Sequence, residues 1–250
     1  MKGIFLQILF AFKRDAIFFG TTILILLCTG FAIFLGSNAV VEEREAKIIY
    51  TAGLSRISIA LGFMSFVVFY IKRMFDSHEI EVILSHPISR YKVVIAMFFA
   101  FSVALYTLII PIGIVLFVLK ANIINTIIWC FSIYLEGLIM LSFTLCCSLI
   151  INSFVHSLSA CFVMYLVGRV IGNFVAYITV TSDFGWKSIL SSVLKISSIF
   201  LPRLDIFGKT SWLVYGNFSS LEVLLFTVQA VIFCCIFLCI ASLDLNRKEF

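Results

Sequence analysis

The sequence has very little charge: 12% of its 250 residues are Asp, Glu, Lys or Arg, whereas 62% are hydrophobic. A soluble domain is usually about 25% charged and about 45–50% apolar, so this chain lacks the polar residues that would cover a globule in water. The mean hydropathy is +1.17, and uncharged runs recur at about the 18 residues that mark a membrane span. We therefore predict an all-α polytopic membrane protein.

Common catalytic motifs are missing as well, since neither GxSxG nor HExxH occurs. The triplet Gly208–Lys209–Thr210 resembles the end of a P-loop, but that motif requires glycine at position 203, where Arg203 stands. We therefore predict that the chain has no ATPase site of its own, and we assign it no catalytic residue, cofactor or metal ligand.

Two further absences exclude whole classes of partner and site. The 18 Lys and Arg residues form no basic stripe or tract, so we predict no nucleic-acid partner. The eight cysteines all lie inside apolar runs, with no CxxC pair and no histidine at a zinc-finger spacing. We interpret them as small buried hydrophobic residues.

Six apolar runs predict six spans within one transmembrane domain that covers residues 1–250. Their expected positions are about 16–36, 54–71, 93–119, 126–151, 158–179 and 223–243. The second span is short if it begins after Arg56, which we expect to snorkel to the interface. Pro111 predicts a kink in the third span.

The segments outside the spans are expected to be partly helical. Residues 2–15 surround an apolar run with basic residues and lack a small-residue cleavage site, so we expect a retained interfacial helix rather than a signal peptide. Residues 37–56 form a polar outer loop of helical character. The long external loop 182–222 is expected to hold one or two interfacial helices within 188–200, with regular structure ending at Pro202 and Gly208.

The charges around the first span predict its orientation. Lys13 and Arg14 precede this span, and Glu42 and Glu43 follow it. Basic residues near span ends favour the cytoplasmic side, and the first helix usually dominates. We therefore expect both termini in the cytoplasm.

The segment 75–92, FDSHEIEVILSHPISRYK, is unusual because it holds eight titratable residues between two apolar runs. Asp76 can cap a helix start, with Glu79 closing a capping box. Ile80, Ile83 and Leu84 then form one apolar stripe, and Pro87 ends the helix. The pattern predicts a short amphipathic helix over about 76–85, on the cytoplasmic face between spans 2 and 3.

This helix has two interpretations. It could be a surface connector without a partner. Alternatively, it could be a docking element whose His78, Glu79 and Glu81 pass force from a soluble protein into spans 2 and 3.

The stretch EIEVILSHPISRYKVV resembles the coupling segment of ABC-2 type transporter permeases. The matching residues are Ile80, Leu84, Pro87, Ser89, Arg90 and Lys92. A second stretch, LPRLDIFGKTSWLVYG at 201–216, resembles the external segment before the last span of such permeases. The order of elements agrees over nearly the whole chain.

The resemblance implies a permease subunit of an ATP-driven exporter in a bacterial inner (plasma) membrane. Two copies, identical or not, would form the pathway among the membrane lipids, and separate ABC ATP-binding subunits would hold ATP and Mg. Asp76, His78, Glu79, Glu81 and Arg90 would then dock the ATPase. The same resemblance implies that four residues anchor this helix to the bundle: Ile80, Ile83, Leu84 and Pro87. The cargo stays open.

Two ionisable residues lie within predicted spans. Glu136 in span 4 and Arg169 in span 5 should each sit about 15–17 Å deep, at similar levels of consecutive antiparallel helices. Isolated charges there are costly, so we predict that the two side chains form an ion pair. Gly168 and Gly172 provide a GxxxG step that permits close helix packing. The pair could be structural or could line a pathway.

Two other function classes stay open besides the permease. An ATP-independent secondary carrier or channel usually shows internal repeats or several functional charges within the membrane. A membrane-embedded enzyme or assembly factor would need convergent polar groups near the spans. Neither alternative gives the 76–85 helix an evident use.

Overall fold

The fold is described from a computed structural model. It covers residues 5–6, 8–10, 12, 15–39, 42–85, 89–180 and 201–247, without the side chains of 81, 84, 85 and 173–180. The predicted Pro87, the segment 188–200 and the side chains of Glu81 and Leu84 therefore lie outside the described part of the chain.

The described residues form helices and connections, with no β-strand among them. The helices are α1 (Ala16–Ser37), α2 (Glu43–Asp76), α3 (Glu79–Ser85), α4 (Arg90–Val118), α5 (Ile123–Ile150), α6 (Phe154–Val180), α7 (Thr210–Tyr215) and α8 (Ser220–Arg247), with a 3₁₀ turn at Leu204–Ile206.

Six of these helices are long and apolar enough to cross a membrane: α1, α2, α4, α5, α6 and α8. This confirms the predicted all-α class and the six candidate spans. In α5, 72% of the most apolar stretch is buried, against 17% in each of α1 and α8. The fourth span is therefore the centre of the bundle, and the first and last spans lie at its edge.

Polar residues set the start of two spans. The Asp15 carboxylate accepts a hydrogen bond of 2.9 Å from the Ile17 N–H, and the Asn122 side chain accepts one of 3.0 Å from the Ile124 N–H. Each side chain satisfies a backbone donor that a helix start would otherwise leave without a partner. α4 continues through Pro111 without interruption.

The helical character predicted for 37–56 is confirmed from Glu43 onward, but this helix is continuous with the second span as α2 and does not form a separate loop. The sequence EREAK consists of good helix formers, and the buried Ile48 and Ala52 give this part of the helix a packed face. With 34 residues, α2 is about 51 Å long, which exceeds a hydrocarbon core of about 30 Å.

Contacts between distant residues define one end of the bundle, called here the α3 end. Arg73 lies 3.7 Å from Asp15, at the start of α1. The Lys72 ammonium donates to Ser148 O at 2.9 Å and also to Ile151 O, at the end of α5. Basic groups stabilise the free carbonyls of a helix C-terminus. The 201–216 segment lies at the opposite end.

The N-terminal residues are anchored in the bundle rather than only lying on its surface. The described residues between 5 and 12 are helical, and Ile8 and Phe12 are 2% and 4% exposed. The Phe12 ring lies 5.4 Å from that of Phe66 and 4.9 Å from that of Phe101. This aromatic cluster joins the N-terminal helix to α2 and α4.

The predicted helix over 76–85 exists but begins three residues later than expected. Asp76 is the last residue of α2, and α3 starts at Glu79. Between them Ser77 N–H donates to Arg73 O, and His78 has a left-handed φ of 57°. The predicted capping box is therefore wrong: Asp76 ends the long helix, and the turn at Ser77–His78 redirects the chain.

Candidate functional site

The predicted docking helix has two different faces. Ile80 and Ile83 are 1% and 8% exposed, so these anchoring residues are buried against the bundle as predicted. On the other side His78 and Glu79 are exposed, and Val82 is 63% exposed. The helix thus presents polar groups and one aliphatic side chain at the α3 end.

Arg90 does not belong to this exposed face. Its guanidinium donates a hydrogen bond of 2.7 Å to Leu245 O, near the end of α8, and it is only partly exposed. The geometry gives Arg90 a structural role at the C-terminus of the last span. Asp76 is exposed beside the turn that precedes α3, which leaves Asp76, His78 and Glu79 as the predicted docking residues that the structure places at the surface.

A second polar site lies within the spans and is centred on a residue that the sequence interpretation placed at the interface. Arg56 is only 5% exposed, and its Nε donates to Glu136 Oε2 at 2.7 Å. The Nη2–Oε2 distance is 2.6 Å. The expectation that Arg56 snorkels is therefore wrong, because its buried position requires a charged partner.

The predicted ion pair between Glu136 and Arg169 is also wrong. Arg56 takes the carboxylate, and Arg169 instead donates a hydrogen bond of 3.0 Å to Leu204 O. Arg56, rather than Arg169, pairs with Glu136 because the two residues lie at matching positions in their helices. Arg56 is 13 residues after the first residue of α2, and Glu136 is 13 residues after the first residue of α5. These two helices run side by side in the same direction, so the two side chains meet at the same level.

The 201–216 segment is packed into the bundle rather than lying on it. Leu204, Phe207 and Trp212 are at most 1% exposed, and the rings of Phe207 and Trp212 lie 5.5 and 5.8 Å from that of Phe226 on α8. The expectation that regular structure ends at Gly208 is wrong, because α7 follows at Thr210–Tyr215.

The Arg56 guanidinium holds the 201–216 segment through its hydrogen bonds. Its Nη1 donates to Gly208 O at 2.9 Å and its Nη2 to Leu204 O at 3.1 Å, while the Gly208 N–H donates to Ser132 Oγ at 2.8 Å. Gly208 has a φ of +53°, and a Cβ atom there would lie 3.0 Å from Arg56 Cζ. Glycine is required at this position for both its backbone conformation and its lack of a side chain.

Gly168 and Gly172 do permit close approach, but the partner is not another helix. A Cβ atom on Gly168 would lie 2.9 Å from Pro202 O, and one on Gly172 would overlap the carboxylate of Asp205. The two glycines therefore permit the close approach of the 3₁₀ turn in the 201–216 segment. Arg203 donates to both oxygens of Asp205, at 3.3 and 2.9 Å, and these bonds raise the pKa of the Arg203 guanidinium.

A cleft of about 340 Å³ lies beside these residues, between α2, α6 and the 201–216 segment. Its lining is mixed in charge and includes Arg56, Arg169, Asp205, Lys209, Thr210 and Ser211. A polar cleft of this kind can hold a charged group away from bulk water. Among the described residues, no group of three or more His, Cys, Asp or Glu is placed to hold a metal ion.

Sequence reasoning missed Arg56 because it placed residues 37–56 outside the membrane. One sequence signal could have revealed it: Thr51, Ser55 and Ser58 are small residues around Arg56, of the kind that line helix contacts within membranes. The structure buries all three. Extending the second span through this stretch would have placed Arg56 at the depth of Glu136.

No protein-family model matches this chain, and a search of curated proteins finds no similar sequence.

Proposed function

We propose that this chain is the membrane-spanning permease subunit of an ATP-driven exporter of the ABC-2 type. Two permease copies would form the pathway, and separate ATPase subunits would supply the energy. The proposal places the chain in a bacterial inner membrane, with the α3 end in the cytoplasm.

The observation that carries this proposal is the two-sided exposure of α3. A seven-residue helix that buries Ile80 and Ile83 is fixed to the bundle, while His78, Glu79 and Val82 beside and on it are exposed at the surface. It follows directly on α2 through the Ser77–His78 turn. A displacement of α3 by a bound partner would therefore be transmitted to α2, the helix that contains Arg56.

The proposed mechanism links the two ends of the molecule. ATP binding closes the ATPase dimer and moves α3, and α2 transmits that movement over its length. Arg56 holds both Glu136 and the 201–216 segment, so a displacement of α2 changes the position of that segment. Alternating access and loading from the inner leaflet both fit this arrangement.

The test is co-purification of an ATPase. The tagged chain is purified from native membranes in mild detergent, and co-purifying proteins are identified by mass spectrometry and assayed for ATP hydrolysis. We expect a P-loop ATPase subunit with the native chain and its loss with Glu79→Lys. Glu43→Lys, the same charge change at the opposite end of α2, is the matched control and should retain the ATPase.

If the ATPase still binds the Glu79→Lys variant, the proposed complex with an ATPase is supported, but Glu79 is not a contact residue. Absence of any P-loop ATPase, under conditions that preserve other transporter complexes, would reject the proposal.

One observation favours the second candidate, an ATP-independent carrier. Glu136 is only 3% exposed, and its Oε1 has no hydrogen-bond partner among the described residues. A buried carboxylate within a span is a functional candidate for proton movement. Proton flux through reconstituted vesicles without any ATPase, abolished by Glu136→Gln, would favour this carrier.

A further inference from the structure

We propose that the cleft beside Arg169 is a binding site for a phosphate-bearing anion, either a lipid headgroup or a free phosphate ester. This inference does not depend on an ATPase partner or on transport. It rests on the distribution of charge around the cleft.

The other charges of the site have opposite partners. Arg56 is held by Glu136 at 2.7 Å, and Asp205 is held by Arg203 at 2.9 Å. Lys209 lies 3.4 Å from Glu222 at a partly exposed position. These three pairs leave no net charge among their own members.

Arg169 is different, because within the described part of the chain its guanidinium donates to the neutral carbonyl of Leu204 and to no carboxylate. No described acidic side chain lies within ion-pair distance of its guanidinium, although it is only partly exposed. A cation at this depth is costly without a counter-charge. Guanidinium has five N–H donors in a planar fork, so further donors of Arg169 are available for an anion.

The surroundings suit an oxyanion. Lys209, although its charge is balanced by Glu222, places an ammonium group with further N–H donors on the cleft wall, and Thr210 and Ser211 add hydroxyl groups that can donate. The volume of about 340 Å³ falls within the usual range for ligand sites, about 300–1,000 Å³. Arg pairs with phosphate through two parallel hydrogen bonds, which makes it a better phosphate ligand than a point charge.

The cleft is also accessible from the side of the bundle. Ile57 on its wall is 46% exposed, so the cleft reaches the outer surface of the helix bundle at an apolar side chain. A lipid headgroup can enter by this route with its acyl chains outside, and a soluble phosphate ester can enter past the exposed Ser211.

The test is equilibrium binding to the full-length chain in lipid-free detergent, measured by native mass spectrometry. The probes are phosphatidylglycerol, phosphatidylcholine with the same acyl chains, and glycerol 1-phosphate. We expect phosphatidylglycerol to bind more tightly than phosphatidylcholine, whose choline cation offsets the phosphate charge. Arg169→Gln should weaken phosphatidylglycerol binding by about tenfold, the effect of losing one hydrogen bond to a charged group.

Arg44→Gln makes the same charge change at an exposed position away from the cleft and should bind as the native chain does. Asp205→Asn, which removes the carboxylate from the cleft wall, should bind phosphatidylglycerol more tightly. If Arg169→Gln does not fold, the partly exposed Lys209→Gln replaces it, with a smaller expected loss. Competition by glycerol 1-phosphate would assign the site to a soluble anion, and its failure to compete would assign it to the lipid. Equal binding of the two lipids together with no binding of glycerol 1-phosphate, or no change in anion binding with either Arg169→Gln or Lys209→Gln, would overturn the proposal.

Discussion

Arg56 and Glu136 form a buried ion pair across α2 and α5, with Nε and Oε2 2.7 Å apart and both residues at most 5% exposed. The other donors of the same guanidinium bind the carbonyls of Leu204 and Gly208. One side chain therefore joins two candidate spans and the 201–216 segment. The position of that segment depends on an interaction buried between the helices.

The first prediction concerns the energy of this pair. Arg56→Gln and Glu136→Gln should each lower the free energy of unfolding by about 3–5 kcal/mol, because each leaves an uncompensated buried charge. The double variant should lose much less than the sum of the two. Unfolding by SDS in mixed micelles, followed by tryptophan fluorescence, measures all three.

The exposed pair Glu43–Lys47 on the same helix is the matched control for this cycle. Its coupling energy should be at most about 0.5 kcal/mol, as for other surface pairs one turn apart. A cycle between Glu136 and Arg169 should also give weak coupling. If Arg169 instead coupled to Glu136 more strongly than Arg56 does, the pairing described here would be wrong.

The second prediction concerns the close approach at Gly172. Gly172→Ala should destabilise the fold or displace the 3₁₀ turn, because a Cβ atom at this position overlaps Asp205. Adding Asp205→Ala should restore much of the loss by removing the overlapping atoms. Gly20→Ala is the control, since nothing lies within 4 Å of its Cβ position, and it should be neutral or stabilising by up to about 1 kcal/mol. Equal effects of the two alanines would contradict the contact.

Hydropathy and length were enough to predict the six spans, because both follow from local composition. The amphipathic stripe of α3 was equally readable, since Ile80 and Ile83 lie on one face of a helix whatever its neighbours are. These features depend on residues that are close together in the sequence.

The partners of the charged side chains could not be predicted in the same way. Arg56 and Glu136 are 80 residues apart, and their contact depends on where α2 starts and on which helix α2 packs against. The Gly168–Gly172 step predicted a close approach correctly but could not distinguish a helix from the 3₁₀ turn as its partner. Pairing across the bundle is a property of helix packing, which local sequence does not determine.

The third prediction concerns the anchoring of α3. Ile80→Ala should lower the free energy of unfolding by about 2–5 kcal/mol, as expected when a large buried side chain leaves a cavity. Val82→Ala, two residues away and largely exposed, should change it by less than about 0.5 kcal/mol. Thermal unfolding of the purified variants compares them. A larger loss for Val82→Ala would mean that the opposite face of α3 is the packed one.

The fourth prediction concerns the orientation of the bundle. In a background without the eight cysteines, Ser77→Cys marks the α3 end and Asn217→Cys marks the opposite end, and both positions are exposed. A membrane-impermeant maleimide applied to intact cells should label Asn217→Cys at once and Ser77→Cys only after the membrane is disrupted. The reason is the basic flank of the first span, which favours the cytoplasmic side.

Each alternative result has a distinct meaning for the proposed function. Labelling of Ser77→Cys alone on intact cells would show that the orientation of the bundle is opposite to the predicted one. α3 would then lie away from cytoplasmic ATP, and the basis for an ATPase partner would be lost. Labelling of both positions would show that α3 and the 201–216 segment face the same side of the membrane. Two segments share a side only when an even number of spans separates them. Since α4, α5 and α6 separate the two positions, that second result would require one of the three helices not to cross the membrane.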